Sequence, residues 1–111
     1  MSDILTIKKY PNRRLYDPRQ SRYITLSDVR ELVIREVPFQ VIDRQSGENI
    51  TNSILLQIIV EQETGNEPLF NSNVLTQFIR SHHASARTSF ASFLEQSLEH
   101  FNAQRISGEQ A

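Results

Sequence analysis

Residues 8–17 (KKYPNRRLYD) bring four basic side chains together within seven positions. Lys8, Lys9, Arg13 and Arg14 can neutralise phosphates, and an arginine can also form a bidentate pair with the edge of a guanine. Asn12 can either hold a turn or contact an adenine. The chemistry that this stretch supports is contact with a polyanion such as nucleic acid.

Three tyrosines, Tyr10, Tyr16 and Tyr23, are spaced among these basic residues. Each combines an apolar ring with a hydroxyl group that can bond to a phosphate. Packing in the hydrophobic core is the alternative for all three, and it is the commoner use of an aromatic ring. The sequence leaves both interpretations open.

The charge of the chain is unevenly distributed. Its 111 residues carry a net charge of −1, which taken alone argues weakly against a nucleic-acid-binding protein. Residues 1–22, however, hold six basic and two acidic side chains, a net +4, whereas residues 23–111 hold six basic and eleven acidic ones, a net −5. A basic arm on an acidic body predicts a polyanion partner, and a solvated basic hairpin without a target is the alternative.

Residues that could support catalysis are poorly placed for it. His82 and His83 are adjacent, so on a helix they point about 100° apart and cannot chelate one ion together. Glu61 and Glu63 lie on different faces of a helix end and have no acid partner. The sequence has no cysteine, no glycine-rich phosphate loop and no nucleophile elbow. We therefore expect no enzymatic activity, no metal and no other cofactor.

The basic stretch belongs to a predicted α+β domain. Residues 4–10, 22–25 and 39–43 have the composition of strands, the first two joined by a long basic connection into a hairpin-like arm. Thr25 and Asp28 can start a helix that Pro38 ends. A second helix over residues 53–62 is apolar nearly all round, which predicts burial on nearly all sides, with help from a second chain.

The rest of the chain is predicted to be helical. Apolar residues recur at three- and four-residue steps from about residue 71 to 106, which fits one long amphipathic helix or two with a mild kink near residues 82–83. Such a helix spans roughly 50 Å, more than one small domain can cover, so we expect it to form a homo-oligomer. The alternative is an intramolecular hairpin. The predicted interface residues are Ile58, Ile59, Phe78, Phe90, Phe93, Leu94, Leu98 and Phe101.

Nearly the whole chain resembles one protein family. The segments that carry the resemblance are 7–17 (IKKYPNRRLYD), 21–26 (SRYITL), 28–29 (DV), 32–33 (LV), 39–41 (FQV), 47–51 (GENIT), 54–59 (ILLQII), 68–70 (PLF) and 93–99 (FLEQSLE). They resemble the DNA-binding domain of the polyhydroxyalkanoate synthesis repressors and the helical accumulation-regulator segment that follows it. The resemblance departs at Glu36, where a glycine is expected, and at residues 44–46 (RQS), where Ala-Lys-Thr is more usual.

This resemblance implies a bacterial repressor that binds double-stranded promoter DNA of polyhydroxyalkanoate synthesis and phasin genes, and that also binds the polymer or its granule. We expect residues 1–67 to form the DNA-binding domain and residues 68–111 a helical oligomerisation segment, in a cytoplasmic protein without a membrane partner. The alternative is a granule-associated or protein-interaction adaptor acting through the C-terminal amphipathic helix. The predicted DNA-binding residues are Lys8, Lys9, Tyr10, Asn12, Arg13, Arg14, Tyr16, Arg19 and Arg22.

Overall fold

A computed structural model describes residues 3–65, 67–83 and 86–110, with side chains in the last helix described up to residue 105. The chain divides into two compact units, Met1–Pro68 and Leu69–Ala111. The first unit is built around a sheet and the second is helical. The fold is therefore α+β, as the sequence predicted.

The first unit holds a mixed sheet of four strands. They are β1 (Leu5–Tyr10), β2 (Arg14–Asp17), β3 (Arg22–Ile24) and β4 (Phe39–Asp43). The strand order is β3-β2-β1-β4, with β1–β2 and β2–β3 antiparallel and β1–β4 parallel. A parallel pair needs a crossover connection, and helix α1 (Leu26–Ile34) provides it.

Strand β2 corrects the prediction of a long basic connection between two strands. In this stretch Leu15 and Asp17 are buried while Arg14 is exposed and Tyr16 is half-buried, an alternation that suits one covered sheet face. The turn that precedes it has Asn12 and Arg13 in the left-handed region, at φ 66° and 62°. This strand was not predicted from the sequence, because the turn before it contains no glycine and Pro11 and Asn12 are typical of the end of a strand.

Helix α1 is fixed at both ends by hydrogen bonds. The Thr25 hydroxyl accepts from the Asp28 amide, and the Asp28 carboxylate accepts from the Thr25 amide, which is a capping box. At the other end Glu36 N–H donates to the carbonyl of Val33 and Val37 N–H to that of Leu32, the two bonds of a Schellman motif. The helix therefore ends at Ile34, and the prediction that Pro38 ends it was wrong by several residues.

Helix α2 (Thr51–Glu63) and α1 cover one face of the sheet and close the core. The buried apolar residues are Leu5, Ile7, Leu15, Ile24, Val29, Leu32, Val41, Ile54 and Ile58. Of α2, only Ile54 and Ile58 are buried within one chain, and the predicted burial of its other sides, which needs a second chain, stays a prediction. One small core can cover only one side of a helix.

The second unit consists of helices α3 (Ser72–His82) and α4 (Arg87–Gln110). The Asn71 side chain caps α3 by accepting from the Val74 amide. The rings of Phe78 and Phe90 are 5.5 Å apart, so these two residues of the predicted oligomer interface contact each other within one chain. In α4, Leu94 is half-buried, whereas Phe93, Leu98 and Phe101 are exposed.

No helix in the described part of the chain is long and apolar enough to cross a membrane.

Candidate nucleic-acid interface

The face of the sheet opposite the helices carries all three tyrosines and two basic residues of the N-terminal stretch, Lys8 and Arg14. Because side chains alternate along a strand, each residue next to a core residue points to this other face. Its members are Thr6, Lys8, Tyr10, Arg14, Tyr16, Tyr23, Gln40 and Ile42. We call this surface, together with Arg44, the aromatic–basic face.

The strand register sets these side chains in rows across the sheet. Tyr23 pairs with Tyr16, Tyr16 with Lys8, and Lys8 with Ile42, so one row crosses all four strands. Next to it, Tyr10 pairs with Arg14. Neighbouring strands lie about 4.8 Å apart, which brings residues from distant parts of the sequence into contact on one surface.

The three tyrosines form a cluster on this face. The ring centroids are 5.4 Å apart for Tyr16 and Tyr23, 6.3 Å for Tyr10 and Tyr23, and 6.4 Å for Tyr10 and Tyr16, each pair close to perpendicular. Edge-to-face contacts of this kind stabilise ring pairs and restrict their motion. Tyr23 is 52% exposed, and none of the three belongs to the buried core, so core packing is the wrong alternative for them.

Two arginines lie over this cluster. The guanidinium carbon of Arg14 is 5.5 Å from the centroid of the Tyr23 ring, and that of Arg44 is 5.7 Å from the Tyr10 ring. Both distances are within the range of cation–π attraction. The backbone amide of Arg44 donates to the Lys9 carbonyl at 2.9 Å, which fixes Arg44 beside the end of β1.

The charge on the aromatic–basic face is of one sign. The two carboxylates on the strands point to the opposite side of the sheet. Asp17 is 2% exposed and accepts from the Arg19 amide. Asp43 is two residues after the buried Val41 in β4 and therefore points to the same side as Val41. Over the described residues, Lys8, Arg14 and Arg44 form no ion pair. Their charges are therefore available to an anionic partner.

The turn between β1 and β2 forms a tip at one end of the sheet. It carries Asn12 and Arg13, both exposed, and it lies beyond the last pairs that β1 and β2 make with the outer strands. Lys9 is on the helix side of the sheet, where it lines an open groove of about 620 Å³ with Arg13 and residues of α2. The tip and Lys9 are thus separate from the aromatic–basic face.

Arg19 and Arg22 lie at the other end of the sheet, in and after the β2–β3 turn. The Arg19 guanidinium donates to the Asp3 carbonyl at 2.8 Å, and Nε of Arg22 donates to the side-chain oxygen of Gln20. The structure therefore divides the predicted DNA-binding residues among the sheet face, the tip, the groove and this far end.

Near Arg22, local bonds perturb one carboxyl group. The backbone hydrogen bond from Thr25 lowers the pKa of Asp28 below its ordinary value of 3.8, with smaller lowering by the Thr25 hydroxyl and the Arg22 charge. Partial burial raises the pKa and is outweighed. This effect belongs to the start of α1 and concerns stability.

Five members of the face are not among the residues predicted to bind DNA, and two of them, Tyr23 and Arg44, take part in its cation–π contacts. The other three are Thr6, Gln40 and Ile42. Tyr23 alternates with Arg22 and Ile24, and this alternation is a signal that could have placed it beside Tyr16. Arg44 follows β4, and it reaches Tyr10 only because β4 pairs in parallel with β1. Nothing in the sequence near Arg44 indicates that pairing.

Among the residues that the structure describes, no three histidine, aspartate or glutamate side chains are grouped as metal ligands.

The sequence model of one protein family, the PHB/PHA accumulation regulator DNA-binding domain, matches residues 6–66 of this chain. This segment is more than half of the chain and includes nearly the whole sheet. The chain belongs to this family. The matched segment contains every residue of the aromatic–basic face and both residues of the tip. Membership in a family of regulator DNA-binding domains also indicates a binding function in place of catalysis.

Two relatives are similar to this chain over most of its length. An uncharacterized protein of Allochromatium vinosum is 54% identical over 99 residues, which is 89% of this chain and 65% of that protein. A protein of Thiocystis violacea, described as uncharacterized and in the phbA 5′ region, is 54% identical over 99 residues, 89% of this chain and 72% of its own length. The chain thus spans about two thirds of the relatives it matches. No solved structure matches it.

Proposed function

We propose that this member of the PHB/PHA accumulation regulator family is a transcriptional repressor of polyhydroxyalkanoate synthesis and phasin genes. It binds double-stranded promoter DNA through the aromatic–basic face and the β1–β2 tip. The observation that carries this proposal is a sheet face that, among the described residues, has three cations without an ion pair and no carboxylate, inside a segment that matches a DNA-binding domain family. The description of the Thiocystis violacea relative as lying in the phbA 5′ region supports the class of target gene.

The width of the sheet supports a division of labour between the face and the tip. Four strands at about 4.8 Å spacing span about 14 Å, whereas the major groove of B-DNA is about 12 Å wide. The intact face is therefore too wide to enter the groove and lies against the phosphate backbone, where Lys8, Arg14 and Arg44 neutralise charge. The sequence alone left Arg14 open as a base-reading residue, but its position over Tyr23 favours a phosphate contact.

The tip is narrow enough to enter the major groove, because only the turn between two strands projects there. Arg13 has the donor geometry for guanine, and Asn12 that for adenine. Their left-handed backbone angles fix the shape of the turn. Base specificity accordingly lies in residues 12 and 13, while affinity lies mainly in the sheet face. Lys9, Arg19 and Arg22 remain candidates for further phosphate contacts at the margins.

We expect the chain to self-associate through α4, which suits the same function. The apolar residues Phe93, Leu98 and Phe101 of α4 are exposed and lie within one side of the helix, an arrangement that a homo-oligomer would cover. Two or more DNA-binding units in one assembly raise the effective affinity. We place this oligomer in the cytoplasm, with Phe93→Asp combined with Leu94→Asp expected to dissociate it and to weaken promoter binding.

The exposed side of α4 also supports a second candidate function. An apolar helix surface of this kind can bind the surface of a polymer granule or another protein, and the chain would then act as an adaptor. Such an adaptor would bind promoter DNA no better than random DNA. DNA specificity therefore separates the two functions.

The deciding experiment measures binding to a duplex from upstream of a polyhydroxyalkanoate synthesis gene and to a random duplex of equal length. The repressor predicts at least tenfold tighter binding to the promoter duplex. With four to six phosphate contacts in each subunit of a dimer, the slope of log affinity against log salt is roughly −7 to −11. Equal affinity for both duplexes would favour the adaptor function. A slope shallower than about −2 would show that the basic arm does not contact DNA phosphates.

A further inference from the structure

The solvent-facing side of α2 is apolar, although the helix already buries its opposite side in the core. Ile54 and Ile58 are buried, whereas Leu56 is 62% exposed, Val60 58% and Ile59 44%. At 100° per residue, Leu56 and Val60 lie opposite the buried pair, and Ile59 flanks them. Exposed apolar residues that adjoin on one helix face mark an interaction site more often than scattered ones do.

The charged residues of α2 lie at its C-terminal end, where their sign is opposed to the dipole of the helix. The first turn contains no acidic residue, and Ile50 provides no side-chain cap, although a helix N-terminus carries partial positive charge. The last turn contains Glu61 and Glu63 and no basic residue, although that end is partially negative. The acidic last turn therefore gains no stabilisation from the dipole of its own helix, and at the first turn the Asn49 side chain accepts from the Thr51 amide.

We propose that α2 pairs with α2 of a second copy of this chain, in antiparallel orientation about a two-fold axis near residue 58. Leu56 of one copy then faces Val60 of the other, which covers the apolar side of both helices. The acidic C-terminal turn of each helix lies beside the positively polarised N-terminal turn of the other. A parallel pair would instead bring the two acidic ends together, which disfavours it.

This pairing leaves the aromatic–basic face of each copy open, because α2 lies on the other side of the sheet. It assigns self-association to the DNA-binding unit in addition to α4. Of the two α2 residues predicted from the sequence for an oligomer interface, Ile58 fills the core of its own chain, and Ile59 is available. The inference concerns self-association alone and stands whether or not the sheet face binds DNA.

Cysteine cross-linking tests the pairing and its orientation, since the natural sequence contains no cysteine to interfere. Ser53→Cys and Glu63→Cys are placed singly in the full chain, and the two variants are mixed and oxidised without DNA. The antiparallel pair predicts a disulfide between position 53 of one copy and position 63 of the other, and little product from either variant alone. In this arrangement the two copies of residue 53, like the two copies of residue 63, lie about 15 Å apart along the helix axis. Gln45→Cys, in an exposed turn of the same unit, serves as the control.

A second measurement avoids cysteine. Leu56→Asp is expected to weaken self-association at least tenfold in sedimentation experiments, with an unchanged circular dichroism spectrum because the side chain is outside the core. Ile4→Asp, which also changes an exposed apolar residue, leaves association unchanged. The proposal is overturned if the wild-type chain is a monomer at micromolar concentration, if each variant cross-links mainly to itself, or if Leu56→Asp associates as the wild type does.

Discussion

Arg14 on β2 holds its guanidinium carbon 5.5 Å from the centroid of the Tyr23 ring on β3. Tyr23 in turn contacts Tyr16 and Tyr10, and the Tyr10 ring lies beneath Arg44. The tyrosine cluster therefore holds two arginines over one sheet face before any partner binds. Pre-organisation of this kind lowers the entropy cost when the arginines contact phosphates.

We expect the aromatic ring of Tyr23 to contribute to DNA affinity and its hydroxyl group to contribute little. Tyr23→Leu removes the cation–π contact, worth about 0.5–1 kcal/mol at an exposed site, and should weaken binding about two- to fivefold on promoter and random duplexes alike. Tyr23→Phe keeps the ring and should bind within about twofold of the wild type. Fluorescence anisotropy at fixed salt makes the comparison. A loss in Tyr23→Phe equal to that in Tyr23→Leu would show that the hydroxyl carries the effect.

Arg13 and Arg14 are adjacent in sequence but are expected to have different roles. Arg13→Ala, at the tip, should cost about 1–3 kcal/mol on the promoter duplex and little on random DNA, so that base preference disappears. Arg14→Ala, on the sheet face, should weaken both duplexes alike. Binding to a set of duplexes with single base changes provides the measurement. If Arg14→Ala changes the preferred bases and Arg13→Ala does not, the assignment of tip and face is wrong.

Glu36 occupies a position where glycine is the better residue. It is the left-handed residue of the Schellman motif after α1, at φ 59°, a conformation that costs a residue with a Cβ about 1 kcal/mol. Glu36→Gly should therefore raise the free energy of unfolding by roughly that amount in urea denaturation. Glu36→Ala removes the same charge but keeps the Cβ, and it should give no comparable gain. Equal stabilisation by both variants would trace the effect to charge.

The capping box makes stability depend on pH through Asp28. Because the folded-state pKa of Asp28 is lowered, its carboxylate stabilises the protein above the ordinary value of 3.8, and this contribution disappears as pH falls through the lowered pKa. Asp28→Asn should destabilise the chain at pH 7, and its difference from the wild type should shrink below about pH 3.8. Thr25→Ala should cost about 1 kcal/mol at about pH 7. A difference that stays constant between neutral pH and about pH 3 would contradict the capping role of the carboxylate.

The sequence predicted the elements whose signals are local. The capping box at Thr25 and Asp28 marks the start of α1, and apolar periodicity marks α2 and the C-terminal helices. The family resemblance also marked Glu36 as unusual, and the left-handed backbone there gives the physical reason. Where the local backbone conformation requires one residue type, the sequence alone indicates that conformation.

The candidate site was only partly predictable, because the pairing of the strands determines which side chains lie together on the aromatic–basic face. Lys8 and Lys9 are neighbours in sequence, yet one lies on the aromatic–basic face and the other lines the groove beside α2. Arg44 joins the face through the parallel pairing of β1 and β4, across more than thirty residues. Strand β2 was missed because its preceding turn uses Asn12 and Arg13 in place of glycine. Register and non-local pairing are not contained in local composition.

If the aromatic–basic face binds the phosphate backbone of DNA, promoter binding must depend on salt through the cations of this face. The variant Lys8→Gln, Arg14→Gln, Arg44→Gln removes three cations from the face. The control Arg30→Gln, Arg35→Gln, Arg80→Gln removes three from α1, its C-terminal cap and α3, with the same change in net charge. The face variant should bind much more weakly, and the slope of log affinity against log salt should become shallower by about 0.9 for each phosphate that is no longer neutralised. The control should keep the wild-type slope. A face variant with the wild-type slope, or a control that weakens as much as the face variant, would show that the face does not bind the phosphate backbone.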